Sequence, residues 1–105
     1  MIPVQGMQGR CAFVLGMGRS GLAAAKALEA GGANVLCWDD AKDGRARAER
    51  AGLNCADPLR SGLGGVDLMI VSPGVPHLYP KPHPVILEAL RLGIPLDNDI
   101  GLFFR

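Results

Sequence analysis

Apolar residues fall in short runs broken by turn formers, and between the runs they recur three and four positions apart. Cys11-Ala-Phe-Val-Leu15, Asn34-Val-Leu-Cys-Trp-Asp39 and Val66-Asp-Leu-Met-Ile-Val71 are such runs, of the kind buried on both sides of a parallel sheet. They predict a first strand at about Cys11–Leu15, a second at Asn34–Asp39 and a fourth at Val66–Val71. Leu53-Asn-Cys55 reads as a brief third strand, and Ile94-Pro-Leu-Asp97 starts a fifth, its proline marking a beginning or an edge. The helical spacing is clearest from Ser20 to about Ala30, where Gly21, Ala24, Ala25 and Leu28 lie on one face and Gly31-Gly32 ends the run. The charged stretch Asp40–Arg50 predicts a short exposed helix. Pro84 suits a first helical position, with Val85, Ile86, Ala89 and Leu90 as an apolar face and Gly93 as the stop. Residues 53–65 give no clear periodicity, and Gly62-Leu-Gly-Gly65 reads as loop. Val75–Pro84, with four prolines and two histidines, reads as a stiff extended loop.

Strand and helix alternate, and the connections are too long for hairpins. The expected fold is α/β: a Rossmann-like, doubly wound sheet of about five mainly parallel strands with helices on both faces. It occupies residues 10–105, with 1–9 as an N-terminal extension. In the order 3-2-1-4-5, the first and fourth strands flank the switch point, where ligands bind at the carboxyl edge.

Two loops converge on that edge. The first strand runs into Gly16-Met-Gly-Arg-Ser-Gly21 and directly on into a helix. Gly16 permits the tight turn, Gly18 lets backbone approach a diphosphate, and Gly21 lets helix and strand pack closely. The anion faces the opening N–H groups of the helix; Ser20 could cap or donate, and Arg19 could bring a countercharge. The second loop, Ser72-Pro73-Gly74, leaves the fourth strand. Asp39 ends the second strand, where an acid meets either ribose hydroxyls or a uracil edge. Uracil offers an N3–H between two carbonyls, which a carboxylate beside a backbone N–H (Asp39 with the amide of Asp40) complements. His77 and His83 stand without acidic or cysteine partners and read as idle loop residues. No nucleophile elbow, metal-ligand spacing or G-x-x-x-x-G-K-[ST] loop occurs, so no catalytic residue, metal or bound cofactor is expected on this stretch.

Composition narrows the partners. The 105 residues carry eleven basic and ten acidic side chains, a net +1, and only 5% are aromatic. Neither a nucleic-acid nor a membrane surface is expected from that balance. Cys11, Cys37 and Cys55 are an odd number that reads as core filling in a reducing, cytoplasmic compartment. No signal peptide or transmembrane run is visible. Asp99-Ile-Gly-Leu-Phe-Phe-Arg105 looks like the opening of a helix, and the expectation is a piece of a longer protein.

Gly16-Met-Gly-Arg-Ser-Gly21, Trp38-Asp39-Asp40, Asp67-Leu-Met-Ile-Val-Ser-Pro-Gly74 and Gly93-Ile-Pro-Leu-Asp-Asn-Asp-Ile-Gly-Leu-Phe103 resemble the N-terminal domain of the Mur ligase family, and within it the D-glutamate-adding branch. The resemblance covers nearly all of residues 10–105. It implies a role in cytoplasmic peptidoglycan precursor synthesis. It further implies a three-domain enzyme whose N-terminal domain holds the UDP part of UDP-N-acetylmuramoyl-L-alanine, while ATP, magnesium and D-glutamate are handled by domains beyond this stretch. By the same resemblance Arg19 and Ser20 meet the diphosphate, Asp39 and Asp40 meet the uracil, and Ser72, Pro73 and Gly74 form the far wall. Three positions depart from the pattern. Asp40 and Ala41 stand where relatives often have Thr and Arg, Gly101 replaces a common Glu, and Asp97 puts a charge at a strand end. The alternative kept open is an NAD(P)-binding domain of an oxidoreductase or regulatory subunit, supported by the glycine loop and Asp39.

Overall fold

β1 (Cys11–Leu15) runs through the middle of the sheet, hydrogen-bonded to β2 (Asn34–Trp38) on one side and β4 (Leu68–Val71) on the other. The computed structural model describes residues 6–71 and 84–98. The sheet order is β3-β2-β1-β4-β5 and every pairing is parallel, with β3 at Asn54–Cys55 and β5 at Leu96–Asn98. Four strands hold three to five residues each, while β3 is a two-residue edge ladder.

Because side chains alternate along β1, it supplies both cores. Ala12 and Val14 join Ala24, Ala25 and Leu28 of α1 (Arg19–Ala30) and Ala48 of α2 (Lys42–Arg50). Phe13 and Leu15 join Met69, Val71 and the Val85, Ile86 and Ala89 side chains of α4 (Pro84–Arg91). Phe13 is fully buried, which contributes on the order of 2–3 kcal/mol. The small side chains of α1 bring that helix close to the strands, and Gly21 is buried at the contact. Among the described residues no helix is long and apolar enough to cross a membrane.

The structure differs from the sequence expectations at a few places. A single turn, α3 (Pro58–Ser61), occupies the stretch without periodicity; four residues are too few to show a helical repeat. Leu90 is 57% exposed rather than part of the α4 face, since Val85, Ile86 and Ala89 already fill the stripe that meets the sheet. β4 begins at Leu68 rather than Val66. Ahead of it, Asp67 ties into β1: its N–H donates to the Cys11 carbonyl at 2.8 Å, and its carboxylate accepts from the Cys11 N–H at 2.9 Å. β5 begins after Pro95, whose carbonyl accepts from Met69 N–H at 2.9 Å.

Candidate nucleotide site at the carboxyl edge

Leu15 lies opposite Trp38 of β2 and Val71 of β4, so the chain leaves all three strands at one edge. Gly16 turns there with φ 93°, a left-handed conformation costly for any residue with a Cβ, and its N–H donates to the Trp38 carbonyl at 2.8 Å. Gly18 is the N-cap of α1 in an ordinary extended conformation, φ −70° and ψ −171°. Its missing side chain therefore serves space rather than backbone freedom, and a Cβ added there would meet nothing within 4 Å. Gly18 offers α1 no side-chain cap and no acid stands in its first turn, so among the described residues the positive end of the helix is open to an anion. Arg19 is exposed and Ser20 half-buried beside that opening.

Asp39 follows β2 and joins the glycine loop to the turn that opens α2. One carboxylate oxygen accepts from the Met17 N–H at 2.7 Å and the other from the Ala41 N–H at 2.8 Å. Sequence reasoning placed this acid at the site but missed its role as a staple between the glycine loop and the turn into α2. Each oxygen keeps a second lone pair for a ligand. Gly44 of α2 makes room for it, since a Cβ there would overlap the carboxylate. Asp40 is exposed, and its carboxylate accepts from Trp38 Nε1 at 3.3 Å.

Two arginines that read as a solvated face are part of this arrangement. Arg47 donates from Nη1 to the Met17 carbonyl at 2.7 Å. Arg45 donates from Nη1 to the carbonyls of Asp39 and Asp40 at 2.8 and 3.0 Å, with its guanidinium 4.7 Å from the Trp38 ring centre. The only sequence signal for either was arginine itself, the side chain best suited to span backbone carbonyls.

Ser72, Pro73 and Gly74 lie outside the described residues, as do His77, His83 and the Asp99–Phe103 segment. The structure thus brings Gly16, Gly18, Arg19, Ser20 and Gly21 to one edge with Asp39 and Asp40. Cys37 is buried with its sulfur 3.7 Å from that of Cys55; burial first, then the Cys55 neighbour, pushes the Cys37 thiol up to about 12, so it stays protonated. Among the described residues no three His, Cys, Asp or Glu side chains cluster as metal ligands.

No family model matches the chain. Curated relatives do. The UDP-N-acetylmuramoylalanine–D-glutamate ligase of Dinoroseobacter shibae is 61% identical over 107 residues, and that of Cereibacter sphaeroides 58% over 106, in both cases across the whole of this chain. The chain belongs to the UDP-N-acetylmuramoylalanine–D-glutamate ligase family. It corresponds to an N-terminal stretch of those ligases and spans 23% of their length. Among solved structures, shikimate dehydrogenase from Aquifex aeolicus superposes with a TM-score of 0.68 at 17% identity, covering 92% of this chain and 45% of its own. That likeness extends to the Rossmann-like fold alone. The chain therefore shares its fold with that dehydrogenase, while its sequence matches the ligases.

Proposed function

We propose that this chain is the UDP-binding N-terminal module of a cytoplasmic D-glutamate-adding ligase of peptidoglycan precursor synthesis. Its ligand on this reading is UDP-N-acetylmuramoyl-L-alanine. The observation that carries it is the joining of an uncapped helix start to an acid at the neighbouring strand end through Met17 N–H, in a chain 56–61% identical to such ligases. The diphosphate lies on the opening turn of α1, over Gly18 and beside Arg19 and Ser20. The uracil edge meets Asp39 and the Asp40 amide, and Ser72, Pro73 and Gly74 close the far side.

ATP and magnesium belong to the full-length reaction, in which a carboxylate is activated and then attacked by the D-glutamate amine. The residues of this stretch do not fit either group: the sequence has no G-x-x-x-x-G-K-[ST] loop, and the described residues hold no three-ligand cluster. The chain alone is accordingly expected to carry out no ATP-dependent condensation.

The test is a backbone amide NMR titration with UDP, UDP-N-acetylmuramoyl-L-alanine and NAD⁺ in parallel. The expected Kd for the uridine ligands is on the order of 0.1–1 mM, about −4 to −6 kcal/mol. Shifts should map to Gly16–Gly21, Asp39 and Asp40 with the uridine ligands and be missing with NAD⁺. The opposite preference would make this an NAD(P)-binding domain and overturn the reading.

A further inference from the structure

Arg45 sits in the first turn of α2, where a cation opposes the helix dipole and lacks the usual reason for being there. Its side chain turns back toward the end of β2. One nitrogen reaches two consecutive carbonyls, Asp39 and Asp40, at 2.8 and 3.0 Å. The same guanidinium lies over Trp38, 4.7 Å from the ring centre, and the Trp38 indole donates to the Asp40 carboxylate at 3.3 Å. Asp39 and Asp40 are thus gripped at both carbonyls by the arginine and at one carboxylate by its stacking partner. Ala41, the position after them, has no side chain that could do this work.

We infer that Arg45 is a positioning residue for base discrimination: by holding the Asp39–Asp40 backbone against Trp38, it aims the Asp39 carboxylate and the following amide at a uracil-type N–H and carbonyl edge. The inference rests on the uridine reading above and adds a residue to it. The requirement is geometric as well as electrostatic. The guanidinium lies on the ring through its plane while Nη1 alone donates to both carbonyls; a lysine nitrogen could donate to the carbonyls but brings no plane to lie on the ring at the same time. A charge at position 45 without that plane holds the turn less firmly, so that the Asp39 carboxylate, left to its two N–H partners, shifts from the base edge. Arg45 itself need not touch the ligand.

The discriminating readout is the ratio of CDP to UDP dissociation constants. The two ligands share a diphosphate, so contributions from the glycine loop cancel, and cytosine lacks the N3–H that the carboxylate reads. In the chain as it stands UDP should bind about tenfold more tightly than CDP. Arg45→Met and Arg45→Lys should both bring the ratio to within about twofold of unity, with amide shifts lost at Asp39 and Asp40 but kept at Gly18. Arg50→Met, an exposed arginine on the same helix, should keep the original ratio. Lys is the second variant because it preserves charge and helix propensity if Met disturbs folding, which the unliganded spectrum reports. If either Arg45 variant folds and keeps the original ratio, or weakens UDP and CDP equally, the role assigned to Arg45 is wrong while the uridine reading stands. If the unaltered chain itself does not prefer UDP, the uridine reading fails and takes this inference with it.

Discussion

Helices α1 and α3 begin in opposite ways. α3 opens with Asp57, whose carboxylate accepts from the Leu59 N–H at 3.0 Å, followed by Pro58, which has no N–H to satisfy. α1 opens with Gly18, which has no side chain to offer, and carries no acid in its first turn. A helix start leaves backbone donors unsatisfied either way. The one-turn α3 answers that within its own sequence. The twelve-residue α1, anchored by a buried Ala-rich face against β1, has enough packing to leave its start open. An open start on a well-packed helix is where an anion gains most, because the helix does not need it in order to form.

Disturbing the frame around the open end should have the largest effect. Gly44→Ala places a methyl in the space of the Asp39 carboxylate and dislodges the acceptor of two N–H groups. The cost should be about 2 kcal/mol despite alanine's better helix propensity, read from urea denaturation, and uridine-ligand shifts should disappear. A variant as stable as the parent would show that the staple is dispensable. Converting α1 into a copy of α3 is the sharper test. Gly18→Asp supplies a self-cap at a position where a Cβ has room, so stability should move by only a few tenths of a kcal/mol. UDP affinity should fall about tenfold, or 1.4 kcal/mol, in the NMR titration. Unchanged affinity would mean that the anion does not use this end. The reciprocal change, Asp57→Ala, should lower stability by about 1 kcal/mol in the same denaturation assay and leave UDP binding untouched. Smallest at neutral pH is the contribution of Cys37. Its thiol ionises near 12 when folded against an ordinary 9.0, so the unfolded chain loses its proton first as pH rises. Stability is unaffected below pH 9 and declines from there toward 12, which urea midpoints at about pH 7 and about pH 10 would register.

The parts of the fold that read from sequence are those in which one pattern spans several residues. Cys11–Leu15 and the Gly21, Ala24, Ala25, Leu28 face needed only a continuous apolar run and helical spacing, and both stand where expected. α3 did not read, because one turn carries no period; its signal was Asp57 before Pro58, a cap rather than a pattern. Leu90 shows the limit of spacing, which finds an apolar stripe but not how many of its members the sheet has room to cover. At the site, Asp39 was placed by its position after β2. Its partners were hidden because Met17 is distant in sequence and contributes only backbone. Arg45 and Arg47 were hidden more deeply, since a charged helix looks solvated until its side chains are seen turning back to carbonyls of other segments.

Met17 is the residue on which most of this converges. Its side chain is fully buried, its N–H is held by Asp39 and its carbonyl by Arg47. The two peptide units that flank Met17 are each fixed, one through its N–H and the next through its carbonyl, so the loop does not wait for a ligand to choose its shape. The conformational entropy of ordering it is lost once, during folding, and not again at each encounter. The observed association rate should then be linear in ligand concentration, with no slow induced-fit phase behind it.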